Sequence, residues 1–233
     1  MYGEFDNIKI CGIASAAPKT VIDNEQVAET LGNRRAKKQV ALTGIKHRHV
    51  MGKGQSAADL SSVCGEKLLT ELVCDRDEIR AIVNVTQSPD FHTPSTAMLI
   101  QKRLHIGQDC LAFDVNLGCT GYVSGLQIIS SLLQNTGGKG LLFVGDGRYR
   151  EMPTTDSLLF GDGASATAIE IEAGNKLLYA QKTDGERYKY ISVGLDGDLT
   201  MDGNAVLLFS LNEVCQSIRE MRSHFDIQEE SID

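Results

Sequence analysis

"FDVNLGCTGYVSGLQIISSLLQ", Phe113 to Gln134, decides how this chain is built. The apolar run "CLAFDV" gives way to the small residues of "NLGCTG". Beyond them Val123, Leu126, Gln127, Ser130 and Leu133 fall into helical register. A buried strand therefore passes into an amphipathic helix through a tight turn, and Cys119 lies in that turn. Two readings stand. Cysteine is among the most buried residue types, which suits a packed core thiol. A helix start presents unpaired amides and a partial positive charge, which favour thiolate over thiol and suit a nucleophile. Gly118 and Gly121 fit the second reading, because residues without Cβ can take positive φ and expose a side chain on a sharp turn. The logic is that of a nucleophile elbow, without its G-x-S-x-G spacing.

Working outward, "IKICGIASA" reads as a strand and "NEQVAETLG" as a short helix that Asp23 or Asn24 caps. After a glycine-rich break at Met51 to Gln55, Ser56 precedes Leu60, Val63, Cys64, Lys67, Leu68 and Leu72, the spacing of an amphipathic helix. "IRAIVNVT" is a buried strand, "TPSTAMLIQKRL" a helix with proline near its first turn, and "KGLLFVGD" another buried strand. Strands alternating with helices predict an α/β fold, a mainly parallel sheet covered on both faces. The pattern then changes. "ASATAIEIE" and "NKLLYAQKT" read as consecutive strands with "AGN" turning between them, which adds an antiparallel part. From Asn204, a helix carries Leu207, Leu211, Val214, Ile218, Met221 and Phe225 on one face, a stripe that needs covering.

With 42% apolar residues in 233, the chain fills a sizeable core. Its net charge of -8 and pI near 5.2 argue against a general nucleic-acid or anionic-membrane surface. The start, "MYGEFDNIKICG", has neither signal-peptide nor spanning character, so the expected location is cytoplasmic, without membrane insertion. Cys11, Cys64, Cys74, Cys110, Cys119 and Cys215 form no CxxC pair, which fits a reducing compartment without disulfides or a cysteine zinc site. "HRH", His47 to His49, lacks a third ligand, and no metal site is expected. "LDGDL" and "GDGR" lack EF-hand spacing and the P-loop lysine and read as turns. "NRRAKKQ", Asn33 to Gln39, is the dense basic run of an acidic chain: a solvated face, or a lure for phosphates.

"FDVNLGCTGYVSGL", "FGDGASATAIE", "ALTGIKHRHV" and "LTMDGNAV" together resemble the amino-terminal part of a beta-ketoacyl-[acyl carrier protein] synthase III, of the thiolase superfamily. The resemblance runs from about Ile8 onward. It implies a thiolase-like fold of two similar α/β halves, with residues 1–203 as the nucleophile-bearing half and 204–233 as the first helix of the next. It also implies that Cys119 takes an acyl group from a thioester and condenses it with a malonyl thioester in fatty-acid or related lipid biosynthesis. Covalent catalysis divides that reaction into two easier steps. Gln87, Thr93 and Phe160 match acyl-pocket residues. The implied partners are acyl-CoA, acyl carrier protein and a second copy in a homodimer, with no permanently bound cofactor.

The chain also departs from the family. The family's histidine, in a segment reading close to "PHQAN", and its asparagine find no match here, because "IQEESID" ends the chain before that segment. Most of the second half of the fold is then absent. Losing one preorganised donor to the decarboxylation transition state costs about 100 to 1,000-fold, so condensation is expected to be impaired. Lys38 stands where better-known members carry a tryptophan against the CoA adenine, and Thr154 near their arginine. The competing readings are a truncated fragment, a non-catalytic ketosynthase-like binding partner, and, last, a cysteine hydrolase using a nearby histidine.

Overall fold

In the computed structural model, which describes residues 1–147, 154–194 and 199–228, the apolar runs become strands. The chain forms β1 (Tyr2–Ala16), β2 (Thr20–Asp23), α1 (Asn24–Leu31), α2 (Arg34–Thr43), β3 (His47–Val50), α3 (Ala57–Glu71), β4 (Ile79–Val85) and α4 (Thr96–Arg103). It continues through β5 (Leu111–Val115), α5 (Gly121–Thr136), β6 (Lys139–Asp146), β7 (Gly163–Ala180), β8 (Ile191–Val193), β9 (Leu199–Met201), α6 (Gly203–Phe209) and α7 (Cys215–Phe225). By contact the chain divides into two compact units, Asp6–Asn175, and Met1–Phe5 with Lys176–Asp233.

One sheet has the order β1-β7-β6-β4-β5. β4 runs parallel to β5 and β6, and β7 runs antiparallel to β6, so the sheet is mixed, as expected of this α/β fold. The inner strand β4 is mostly apolar because both faces are covered: Ile79, Ala81, Ile82, Val83 and Val85 are at most 1% exposed, with Arg80 and Asn84 between them. Along β6 the side chains alternate. Leu141 and Phe143 join Cys64 and Leu68 of α3 and Ala97 and Ile100 of α4 in one cluster, while Leu142 meets α5. Small residues let the layers close up. A Cβ on Gly65 of α3 would come within 2.9 Å of the Phe143 ring, and one on Gly140 within 2.7 Å of Ile129 of α5.

Local chemistry sets the ends. Asp23 caps α1 by accepting from the amides of Glu25 and Gln26. Ser56 and Asp59 form a capping box at the start of α3. The turn expected at "AGN" is not a hairpin: β7 runs through it as one strand. Gly174, at φ +91, donates to Asn7 Oδ1 at 3.3 Å, and Asn7 is itself at φ +61. A positive-φ glycine inside a strand marks an irregularity of the ladder as readily as a reversal.

In the smaller unit, β8 and β9 pair antiparallel and Asp202 caps α6. Residues Ser210–Val214 form a π-helical turn between α6 and α7. Tyr2 stacks on His224 at 4.3 Å and donates to Glu220, which also binds Lys182 and accepts from Gln216 at 2.7 Å. Along the apolar stripe Leu207, Leu211, Val214 and Ile218 stay open, each 45 to 59% exposed, and Leu208 beside them is open too, while Met221 and Phe225 are half-buried. No helix among the described residues is long and apolar enough to cross a membrane.

Candidate active site

The carboxyl end of β5 delivers the chain to the turn that holds Cys119. Val115 O accepts from the amides of both Leu117 (3.0 Å) and Thr86 (3.1 Å), tying that end to the end of β4. Gly121 N then donates to Gly118 O at 2.8 Å and α5 begins, with Thr120 before it supplying no side-chain cap. Cys119 is exposed at this helix start, as the strand-to-helix reading expects. The glycines serve a different purpose from the one the sequence suggests. Neither Gly118 nor Gly121 is among the positive-φ residues. They permit close approach instead: a Cβ on Gly121 would lie 2.3 Å from Val85 Cγ1, and one on Gly118 would lie 2.8 Å from Gln87 Oε1.

Gln87 therefore rests against the backbone beside Cys119. It follows β4, and a single carboxylate organises that segment. Asp146, at the carboxyl end of β6, accepts through Oδ1 from Thr86 Oγ1 (2.9 Å), Gln87 N (2.6 Å), Ser88 N (3.1 Å) and Ser88 Oγ (3.0 Å). Sequence reading missed Asp146 because "GDGR" looked like a plain turn, although a lone acid ending a buried strand was a signal. Asn84 and Asp114, polar residues within apolar strands, are register partners joined at 2.9 Å. Asp114 also accepts from Thr96 N and Ala97 N, which seats the start of α4. Gln87, Cys119 and Asp146 thus stand at the carboxyl ends of three neighbouring parallel strands, the usual ligand side of such sheets.

Thr93 and Phe160 are placed differently. Thr93 is exposed, in a cis peptide bond with Pro94. Phe160 is 45% exposed, and its carbonyl accepts from Arg48 of β3 at 2.8 Å. No hydrogen bond or ion pair among the described residues joins either one to Cys119. Arg48 is buried, donates to Asn24 Oδ1 at 2.6 Å, and is drawn below its usual pKa by that burial, against the pull of Asp162. Asp162 N in turn donates to His49 O, and Asp162 Oδ2 accepts from Met51 N. His49 Nδ1 lies 2.6 Å from Pro18 O. Among the described residues no group of three or more His, Cys, Asp or Glu could hold a metal ion. Lys38 and Thr154 are both exposed. Residues 195–198 of "LDGDL" and Arg148 of "GDGR" lie outside the described residues.

The cysteines separate clearly. Burial pushes the Cys11 thiol up to about 12, helped by Glu170, and the Cys64 thiol also up to about 12. Burial takes Cys110 to about 11 and raises Cys74 as well. A raised thiol is a poor nucleophile at neutral pH. Cys64 is fully buried, Cys11, Cys74, Cys110 and Cys215 are partly buried, and Cys119 is the exposed one.

A family model described as 3-Oxoacyl-[acyl-carrier-protein (ACP)] synthase III matches residues 113–185, which include this turn and β6. A crystal structure of a 3-oxoacyl-(acyl-carrier-protein) synthase III superposes with a TM-score of 0.85 at 30% identity, over 97% of this chain and 77% of that one. The chain belongs to the beta-ketoacyl-[acyl-carrier-protein] synthase III family. Its fold is that of the thiolase superfamily. A 3-oxoacyl-(acyl-carrier protein) synthase from Burkholderia xenovorans matches over 100% of this chain and 73% of that one, with a TM-score of 0.91 and 28% identity. A Campylobacter jejuni protein, provisionally named a 3-oxoacyl-[acyl-carrier-protein] synthase 3, is 34% identical over 195 residues. That match takes in 81% of this chain and 55% of the Campylobacter protein, so the chain spans about half the length of that relative.

Proposed function

We propose that this chain is the acyl-accepting part of a fatty-acid condensing acyltransferase, with Cys119 as the nucleophile. The observation that carries the reading is the position of that thiol, exposed at the start of α5 on the carboxyl side of β4, β5 and β6. Cys119 Sγ, having given up its proton, attacks the carbonyl carbon of an acyl thioester. A new C–S bond forms, the donor's C–S bond breaks, and the departing thiolate takes a proton. The donor is acyl-CoA or acyl carrier protein, and no cofactor is held between turnovers. Gln87, packed against Gly118, borders the acyl group, and Thr93 and Phe160 form more of its pocket. Asp146 is a positioning residue that holds the Gln87 segment.

Condensation with a malonyl thioester is the second step of the proposed reaction. None of the chain's five histidines stands in the family's motif, so these residues alone support acyl transfer better than condensation. Residues 1–203 form the nucleophile-bearing half in this reading, and 204–233 lead into the next. The protein works in the cytoplasm as a symmetric homodimer, and the outer edge of β5, which pairs with β4 alone, suits a two-fold contact. Iodoacetamide labelling tests the nucleophile. Cys119 reacts faster than any cysteine of the unfolded chain; labelling no faster than that control favours a non-catalytic binding protein.

A further inference from the structure

Two buried polar side chains stand behind Phe160. Asn24, the first residue of α1, is fully buried, and Arg48 of β3 is 7% exposed. The Asn24 carboxamide donates to Ile45 O at 2.8 Å and to Leu158 O at 3.0 Å, and it accepts from Arg48 Nε at 2.6 Å. Arg48 Nη1 donates to Phe160 O at 2.8 Å. The pair therefore holds the carbonyls of Leu158 and Phe160 together. Arg48 forms no ion pair among the described residues, and Asp162 attracts it from a distance. A buried cation without an ion pair is costly, and apolar side chains of similar volume would fill the same space more stably. Stability of the core thus does not account for Arg48.

The segment it holds is anchored along one side. Leu158 packs with Ala28, Ala36 and Val40. A Cβ on Gly161 would come within 3.3 Å of His49 O, and Asp162 N donates to that same oxygen at 2.8 Å. Between these anchors the backbone of Phe160 is extended, at φ -119 and ψ 126, and its ring is left open. We propose that Asn24 and Arg48 are positioning residues that fix the Phe160 ring as a wall of the acyl pocket, and so limit the length of acyl chain that reaches Cys119. The inference rests on the acyl-transfer reading above. A guanidinium suits the task because its rigid fork bonds two acceptors in set directions, which a lysine ammonium does not. Without the clamp the wall yields and longer chains enter.

The test follows acylation of Cys119 in the full chain by acetyl- and octanoyl-N-acetylcysteamine. The ratio of the two rates, taken on one sample, is independent of the folded fraction, so a merely structural defect does not move it. R48M raises the octanoyl-to-acetyl ratio by about fivefold or more, and R48K and N24A raise it by about threefold or more. R76M removes another arginine that binds a backbone carbonyl, Leu104 O, and leaves the ratio unchanged. In an F160A background R48M changes the ratio no further, because the ring it positions is gone. Since the chain has no tryptophan, F160W supplies a single emitter. Its fast-depolarising fraction in time-resolved anisotropy rises in R48M/F160W. Ratios shifted by less than about threefold in every variant that circular dichroism shows folded overturn the proposal. So does an equal effect of R48M with and without the Phe160 ring, or an unchanged anisotropy decay. A native chain acylated by neither thioester refutes the acyl-transfer reading, while the anisotropy comparison still decides the clamp.

Discussion

At Cys119 the thiol's reactivity depends on where neighbouring atoms let the backbone go. Gly121 is the sharpest constraint, since a Cβ there would fall 2.3 Å from Val85 Cγ1. Gly121→Ala therefore forces α5 away from β4 and is expected to cost about 1–3 kcal/mol, the range for overpacking. Chemical denaturation measures this, and V85A in the same chain restores part of the loss. Asp146 offers a second test. Asp146→Ala removes the acceptor for two amides and two hydroxyls at the end of β4. It slows acylation of Cys119 by about tenfold, raising the barrier by about 1.4 kcal/mol, while D146N keeps one acceptor and slows it less. A purely global defect would lower stability and acylation together. A positioning role lowers the rate in a chain that melts as the native one does.

Among the elements, α7 is fastened by one carboxylate. Lys182 foremost, with Gln216 and Tyr2, draws the Glu220 carboxyl down to about 2. A carboxyl with a folded pKa below its unfolded value near 4.3 stabilises the fold above that unfolded value. The contribution fades as pH falls from about 4 toward 2. Hydrogen exchange in Met1–Phe5 and Cys215–Phe225 should thus rise over that interval, and E220Q should raise it already at neutral pH. Glu220 is only partly buried, so added salt narrows the difference. These elements also show what a sequence discloses. The 3.6 period of α3 and α5 and the largely apolar run of β4 were legible, because burial on one or both faces writes itself into residue type. Gly174 was misread as a turn, since positive φ serves a strand irregularity equally well. Cys119 was legible as a strand-to-helix thiol. The role of Gly118 and Gly121 was not, because a missing Cβ looks the same whether φ or a neighbour such as Val85 demands it. Asp146 escaped because its partners lie 58 to 60 residues away.

For the whole molecule, two surfaces govern behaviour in solution. The open stripe of Leu207, Leu208, Leu211, Val214 and Ile218 exposes apolar area of the kind that protein contacts cover. The 233-residue chain by itself is expected to bind a hydrophobic dye or to self-associate, and a monodisperse monomer without dye signal in light scattering would refute this. The chain is acidic overall, and its exposed thiol is the group proposed to take the acyl group. Everything in the functional account turns on that thiol accepting an acyl group. The direct measurement is the intact mass of the native chain and of C119S after incubation with acetyl-CoA or acetyl-carrier protein, followed by peptide mapping. The account predicts one acetyl group per chain, on the peptide bearing Cys119 and missing from C119S. A native chain left unmodified by both donors, or acetylation that persists in C119S, would contradict it.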